Sequence, residues 1–171
     1  MKKEQLIAVF DNHDDAAQAV KSLLKAKVPK EDISVIGKGE GGEPKDEFEL
    51  DKENEDIAFW GKQGAFWGAL WGFLTGAFFF FIPGFGPLVA TGPVIASLAG
   101  ALGGAAVVGS AAALVAWFKD LGIEEVEAIH YKDLLKADKT VVIVHGKEAI
   151  GLAKPALEAL GTGEIKIYHK P

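Results

Sequence analysis

The chain has no cysteine and no arginine: all 18 of its cationic side chains are lysine, against 24 Asp and Glu. Without cysteine there is no disulfide, no thiol nucleophile and no thiolate metal site. The lack of arginine and the net charge of −6 argue against nucleic acid, which favours a basic face and bidentate guanidinium forks. The opening MKKEQLIAVFDNHDD has no long apolar run before acidic residues arrive. It does not read as a signal peptide, so the first part of the chain is expected to stay in the cytoplasm. The largest absence is internal. From Gln63 to Phe118 there is no Asp, Glu, Lys, Arg or His, and Lys62 and Lys119 bracket the block.

Around that block lie ordinary signals. Leu6 to Phe10 is a short apolar run that reads as a strand. Asn12 is placed to cap a helix with Asp14 and Asp15 in its first turn. Ala16, Ala17, Val20, Leu23 and Leu24 recur at helical spacing up to Pro29. Ile33 to Ile36 reads as a second strand. Residues 120–171 hold a short helix from Ile123 to Ala137, with Ile123, Val126, Ile129 and Leu134 roughly on one side. A β-branched strand Thr140–Val144 follows. A helical stripe comes next, through Ala149, Ile150, Ala153, Leu157 and Leu160, kinked or shortened at Pro155. Ile165 to Tyr168 reads as a last strand.

Both ends are thus strand, helix, strand, and neither buries enough apolar area alone. The expected fold is α+β: a ferredoxin-like sheet built from the two β-α-β halves, helices on one face, with the apolar block inserted as a helical hairpin. The domain reading is 1–37 for the first half, 38–59 for an acidic linker, 60–119 for the hairpin and 120–171 for the second half. The linker contains GKGEGG, but carboxylates follow its glycines where a phosphate loop needs a helix N-terminus.

Within the block, Gly64, Gly68, Gly72 and Gly76 recur every four residues. On a helix they form one small-residue stripe, costly in water and useful where two helix backbones approach. Ala96, Gly100 and Gly104 give the second helix a matching stripe. Residues 63–82 as a helix would span about 30 Å, the thickness of the hydrocarbon layer. Trp60, Trp67, Trp71, Phe78 and Trp117 are expected to meet lipid or a neighbouring subunit. Pro83, Gly84, Gly86, Pro87 and Pro93 are expected to form the hairpin turn. The block therefore reads as a membrane hairpin, crossing or stopping within the lipid, with the soluble domain on the cytoplasmic side; a buried core of a soluble oligomer is the other reading. Excising residues 60–118 is expected to leave a soluble small domain.

The stretches IAVFDNHDDAAQAVKSLLKAKVPKEDISVIG, IPGFGPLVATGP and GIEEVEAIHYKDLLKADKTVVIVH together resemble the general stress proteins of the 17M-like type and related heat- or low-temperature-induced small bacterial proteins. The resemblance implies a stress-associated protein and carries over no catalytic residue.

Direct chemistry is sparse. His13, His130, His145 and His169 show no ligand spacing, although His145 and His169 end two strands and could approach each other. Ser22, Ser34, Ser97 and Ser110 lack a nucleophile-elbow context. Helix capping accounts for Asp11-Asn12-His13-Asp14-Asp15. The reading is a non-enzymatic protein without cofactor or metal, whose partners are itself and membrane lipid. The alternative is a module that senses a small ligand or a partner.

Overall fold

The computed structural model describes residues 3–38, 77–82, 85–103, 111–161 and 164–170. Strand β1 (Lys3–Phe10) leads into helix α1 (His13–Lys25) and, after a single 3-10 turn, strand β2 (Ile33–Lys38). Strands β3 (Ala77–Ile82) and β4 (Gly86–Thr91) follow, then helices α2 (Val94–Gly103), α3 (Ala111–Asp120) and α4 (Glu125–Lys136). Strand β5 (Thr140–His145), helix α5 (Lys147–Glu158) and strand β6 (Ile165–Lys170) complete the chain. The fold is α+β.

The two terminal halves share one sheet. Its six strands run β3-β4-β2-β5-β1-β6, each antiparallel to its neighbours. β1 lies at the centre of the terminal halves, with Ile7 opposite Ile143 on one side and Lys166 on the other. Local signals place α1 as expected: the Asn12 side chain accepts from the Asp15 backbone N–H at 2.8 Å, closing the first turn.

The sheet carries helices on both faces, not one. On the first face α1 and α5 pack Ala16, Val20, Leu23, Ile150 and Leu157 against Leu6, Ala8, Val35 and Val142. On the second, α2, α3 and α4 pack Leu98, Leu114, Trp117, Phe118, Tyr131 and Leu135 against Ile7, Val9, Ile36, Leu88 and Ile143. The second layer is largely built from the charge-free block. The runs Leu6–Phe10 of β1 and Val141–Val144 of β5 carry the corresponding signal. They are apolar at consecutive positions, the pattern of strands covered on both sides, and all five residues from Ile33 to Gly37 and from Thr140 to Val144 are buried.

Three expectations change accordingly. The helix expected over residues 63–82 does not extend through its last six residues, because Ala77–Ile82 is a strand. The Pro-Gly cluster expected to turn a helical hairpin instead joins two strands, with Gly86 and Pro87 already inside β4. The second long helix is not formed as one span: α2 and α3 are ten residues each. No helix among the described residues is long and apolar enough to cross a membrane. On α4 the inward stripe is Ala128, Tyr131 and Leu135, while Val126 is 80% exposed.

The joint between β4 and α2 depends on Gly92. Its φ is +94°, and a Cβ there would come within 2.3 Å of the Ile33 carbonyl oxygen. Only glycine combines that conformation with so close an approach to β2. Pro93 follows it, exposed, one residue before α2, where its fixed φ suits the entry to a helix.

Candidate functional site

The six-stranded sheet ends in two unlike edges. β6 forms one, and it presents the exposed Lys166 and Lys170, charged positions of the kind that discourage further pairing. β3 forms the other, with the sequence Ala-Phe-Phe-Phe-Phe-Ile. Aromatic residues favour strands, and β3 lies beside β4 with Phe78 opposite Ala90 and Phe81 opposite Pro87. Among the described residues β3 pairs with β4 alone. Among the described residues one side of this strand is therefore unpaired, and its sequence contains no charge, internal proline or bulge-forming glycine to block pairing.

A cleft of about 560 Å³ opens at the carboxyl end of β1, between the start of α1, the end of α4 and the approach to β6. Its polar wall is Asp11, Asp15, Gln18, Lys139 and Glu164. Lys139 Nζ donates to Asp11 at 2.9 Å, Asn12 Nδ2 donates to Asp15 at 3.0 Å, and His130 Nε2 lies 2.9 Å from Glu164. Three carboxylates against one lysine suit a small cation or amine. Among the described residues that line it there is no nucleophile beside a base.

Elsewhere, polar side chains serve the packing. Ser34 Oγ lies 2.8 Å from His145 Nε2 and accepts the Val94 backbone N–H at 3.4 Å. A Ser–His contact is what an activated nucleophile needs, but Ser34 is fully buried within β2. The pair fastens the start of α2 to the sheet. Tyr131 and Tyr168 share a hydroxyl contact of 2.7 Å. Burial, and then the Tyr168 hydroxyl, push the Tyr131 phenol well above its ordinary range, so it stays protonated at neutral pH.

The four histidines separate. His145 stands opposite Gln5 and His169 opposite Glu4, on strands divided by β1, so the strand-end pair is not brought together. No cluster of metal-ligating residues occurs among the described residues. His13 is buried at the first position of α1, and burial lowers its pKa from the ordinary 6.5, against the opposing pull of Asp138 and Asp14. The fold therefore prefers the neutral imidazole. That contribution to stability is complete above pH 6.5 and is lost as pH falls through the lowered folded value. Thermal melts from pH 7.5 to 4.5 are expected to show a falling midpoint in the native chain and a shallower fall in His13→Gln. Parallel curves would remove His13 as the cause.

The residues singled out from the sequence are scattered. Gly64, Gly68, Gly72, Gly76, Gly104, Trp60, Trp67, Trp71, Pro83 and Gly84 lie outside the described residues. Phe78 is on the edge strand. Ala96 and Gly100 are exposed on α2, and a Cβ at Gly100 would meet nothing within 4 Å, so this part of the stripe makes no close helix crossing among the described residues. Trp117 faces neither lipid nor solvent. It is 1% exposed in the second core, its Nε1–H donating to Ser97 Oγ at 3.0 Å. The edge strand itself was missed, because its phenylalanines read as the end of an apolar helix; the run of β-formers between glycines was the available signal.

Comparison of the chain with known protein families, curated proteins and solved structures finds no match.

Proposed function

We propose that this is a non-enzymatic protein that assembles with copies of itself by pairing the edge of β3, in the stress-associated setting that its sequence resemblance suggests. The observation that carries the proposal is the contrast between the two sheet edges, one charged and one made of four consecutive phenylalanines. Strands β2, β5, β1 and β6 with crossovers α1 and α5 are read as a ferredoxin-like unit, in the spatial order that a split β-α-β pair produces. The β3-β4 hairpin then extends this unit to a uniform, uncharged edge. Two copies meeting antiparallel at β3 would continue the sheet, with main-chain hydrogen bonds supplying the attraction.

The test is particle size. In detergent-free buffer the native chain is expected to sediment well above its 18.1 kDa monomer, and Phe79→Lys with Phe80→Lys is expected to bring it down to the monomer with unchanged far-UV circular dichroism. Charge on two adjacent positions acts whichever face of the strand each occupies. A native chain that is monomeric at high concentration, or a double-lysine variant that stays assembled, would contradict the proposal. Association through lipid is distinguished in the same experiment, since only that form dissociates on adding detergent in both chains.

The cleft supports a second reading, a module that senses a small cationic ligand. A rise in thermal midpoint with simple amines, lost in Asp11→Asn, would favour it.

A further inference from the structure

The cleft at the carboxyl end of β1 owes its shape to unequal strands. Ala8 pairs with Ile165, the first residue of β6, and the Val9 N–H still reaches the Glu164 carbonyl at 3.0 Å. Phe10 goes on to pair with Thr140 on the β5 side, so β1 outlasts β6 there. The space beside its end is the cleft of about 560 Å³, within the size range of small-ligand pockets. Its floor is apolar. Val9 and Phe10 are buried, and the half-buried Leu134 and Leu160 close on it from α4 and from the residues just after α5.

The carboxylates of the cleft stand apart. Asp11 and Asp15 belong to the start of α1, the helix on the first face of the sheet. Glu164 lies across the cleft, 2.9 Å from His130 of α4, the helix on the second face. Asp11 is two residues beyond Val9 and one strand over from Glu164, about 8 Å at the backbone by ordinary strand spacings. No group of three metal-ligating side chains converges among the described residues, so one small ion does not satisfy all three carboxylates at once.

One alkylammonium is already seated on this wall: Lys139 Nζ donates to Asp11 at 2.9 Å. Among the described residues, Lys139 and the His130 ring are the basic groups in ion-pair contact with Asp11, Asp15 or Glu164. The cleft therefore keeps an excess of negative charge, divided between two walls with an apolar floor between them.

We propose that the cleft takes a linear aliphatic diamine, one ammonium group at Asp15 and the other at Glu164, with the methylene chain across Phe10 and its apolar neighbours. Lysine side chains divide themselves in the same way, an apolar stem on apolar surface and a charged head in polar surroundings. A monoamine fills one end of such a site, and a metal ion finds no convergent ligand set. The proposal rests on the reading of the cleft as a cation site and gives that cation a length and a second charge.

The test is calorimetric titration of the full chain at neutral pH with diaminobutane, butylamine and magnesium chloride, at one fixed ionic strength so that screening is equal. Diaminobutane is expected to bind about fivefold or more tighter than butylamine, the scale of one further ammonium–carboxylate contact at a partly exposed site. Asp15→Asn and Glu164→Gln, each checked by circular dichroism, are expected to reduce diaminobutane to the affinity of butylamine. Glu148→Gln, which removes an exposed carboxylate of α5 outside the cleft, is expected to leave the preference intact. Equal binding of the two amines, or displacement of diaminobutane by equimolar magnesium, would overturn the proposal while leaving the cleft a cation site. A diamine preference that survives both cleft substitutions would place the binding elsewhere on this acidic chain and overturn it too. If neither amine binds, the reading of the cleft as a cation site fails, and the proposal with it.

Discussion

Trp117→Ala is expected to destabilise the protein by about 3–5 kcal/mol, the range for truncating a large buried aromatic side chain. Its indole is 1% exposed. It stacks at 4.9 Å from the Phe118 ring, which in turn lies 5.6 Å from Tyr131. Its Nε1–H donates to Ser97 across the gap between α3 and α2. Alanine leaves a cavity where the two helices and the sheet meet, and it removes the donor as well. For a chain of this size each kcal/mol corresponds to about 2–4 °C, so the midpoint should fall by about 6–20 °C. Trp117→Phe retains most of the buried area and should cost less, the lost hydrogen bond contributing about 1 kcal/mol. Urea melts of the three proteins measure both values. A loss below about 1 kcal/mol for the alanine variant, with an unchanged slope, would be the outcome for a tryptophan resting in lipid, and it would contradict the buried position.

The same tryptophan shows where the sequence was legible and where it was not. The terminal halves could be read because their periods are local: Asn12 caps α1, Ala16, Val20 and Leu23 repeat along it, and the β-branched run at 140–144 has one conformation it favours. Their pairing in one sheet followed from area, since neither half could bury its apolar face alone. The middle could not be read this way. An apolar run such as residues 77–82 fits a buried strand or a buried helix equally well, and periodicity does not decide between them. Pro83 to Pro87 ends either element. Charge depletion was read as a sign of lipid, yet Leu98, Leu114 and Phe118 are uncharged because they lie against the second face of a sheet.

The missing signal was in the strands. Leu6 to Phe10 and Val141 to Val144 do not alternate apolar with polar residues, as strands wetted on one face would. They require two covers, and only the apolar block could supply the second. The cleft was illegible for another reason: Asp11, Lys139 and Glu164 come from three separate turns, and only the strand order brings them together.

The central claim is that the apolar block builds much of the core on the second face of the sheet rather than standing outside it. Replacing residues 60–118 with a short linker tests this most directly. The deletion removes β3, β4, α2 and nearly all of α3, and strips the cover from Ile7, Val9, Ile36, Val141 and Ile143, each now less than 10% exposed. Burial of one such side chain is worth about 1.5–3 kcal/mol, so losing several exceeds the 5–15 kcal/mol by which domains are stable. Differential scanning calorimetry of the shortened chain should show no cooperative transition, with aggregation or strong dye binding in its place. A soluble monomer that unfolds in a single sharp transition would contradict the account, and would return the block to the role of a detachable hairpin.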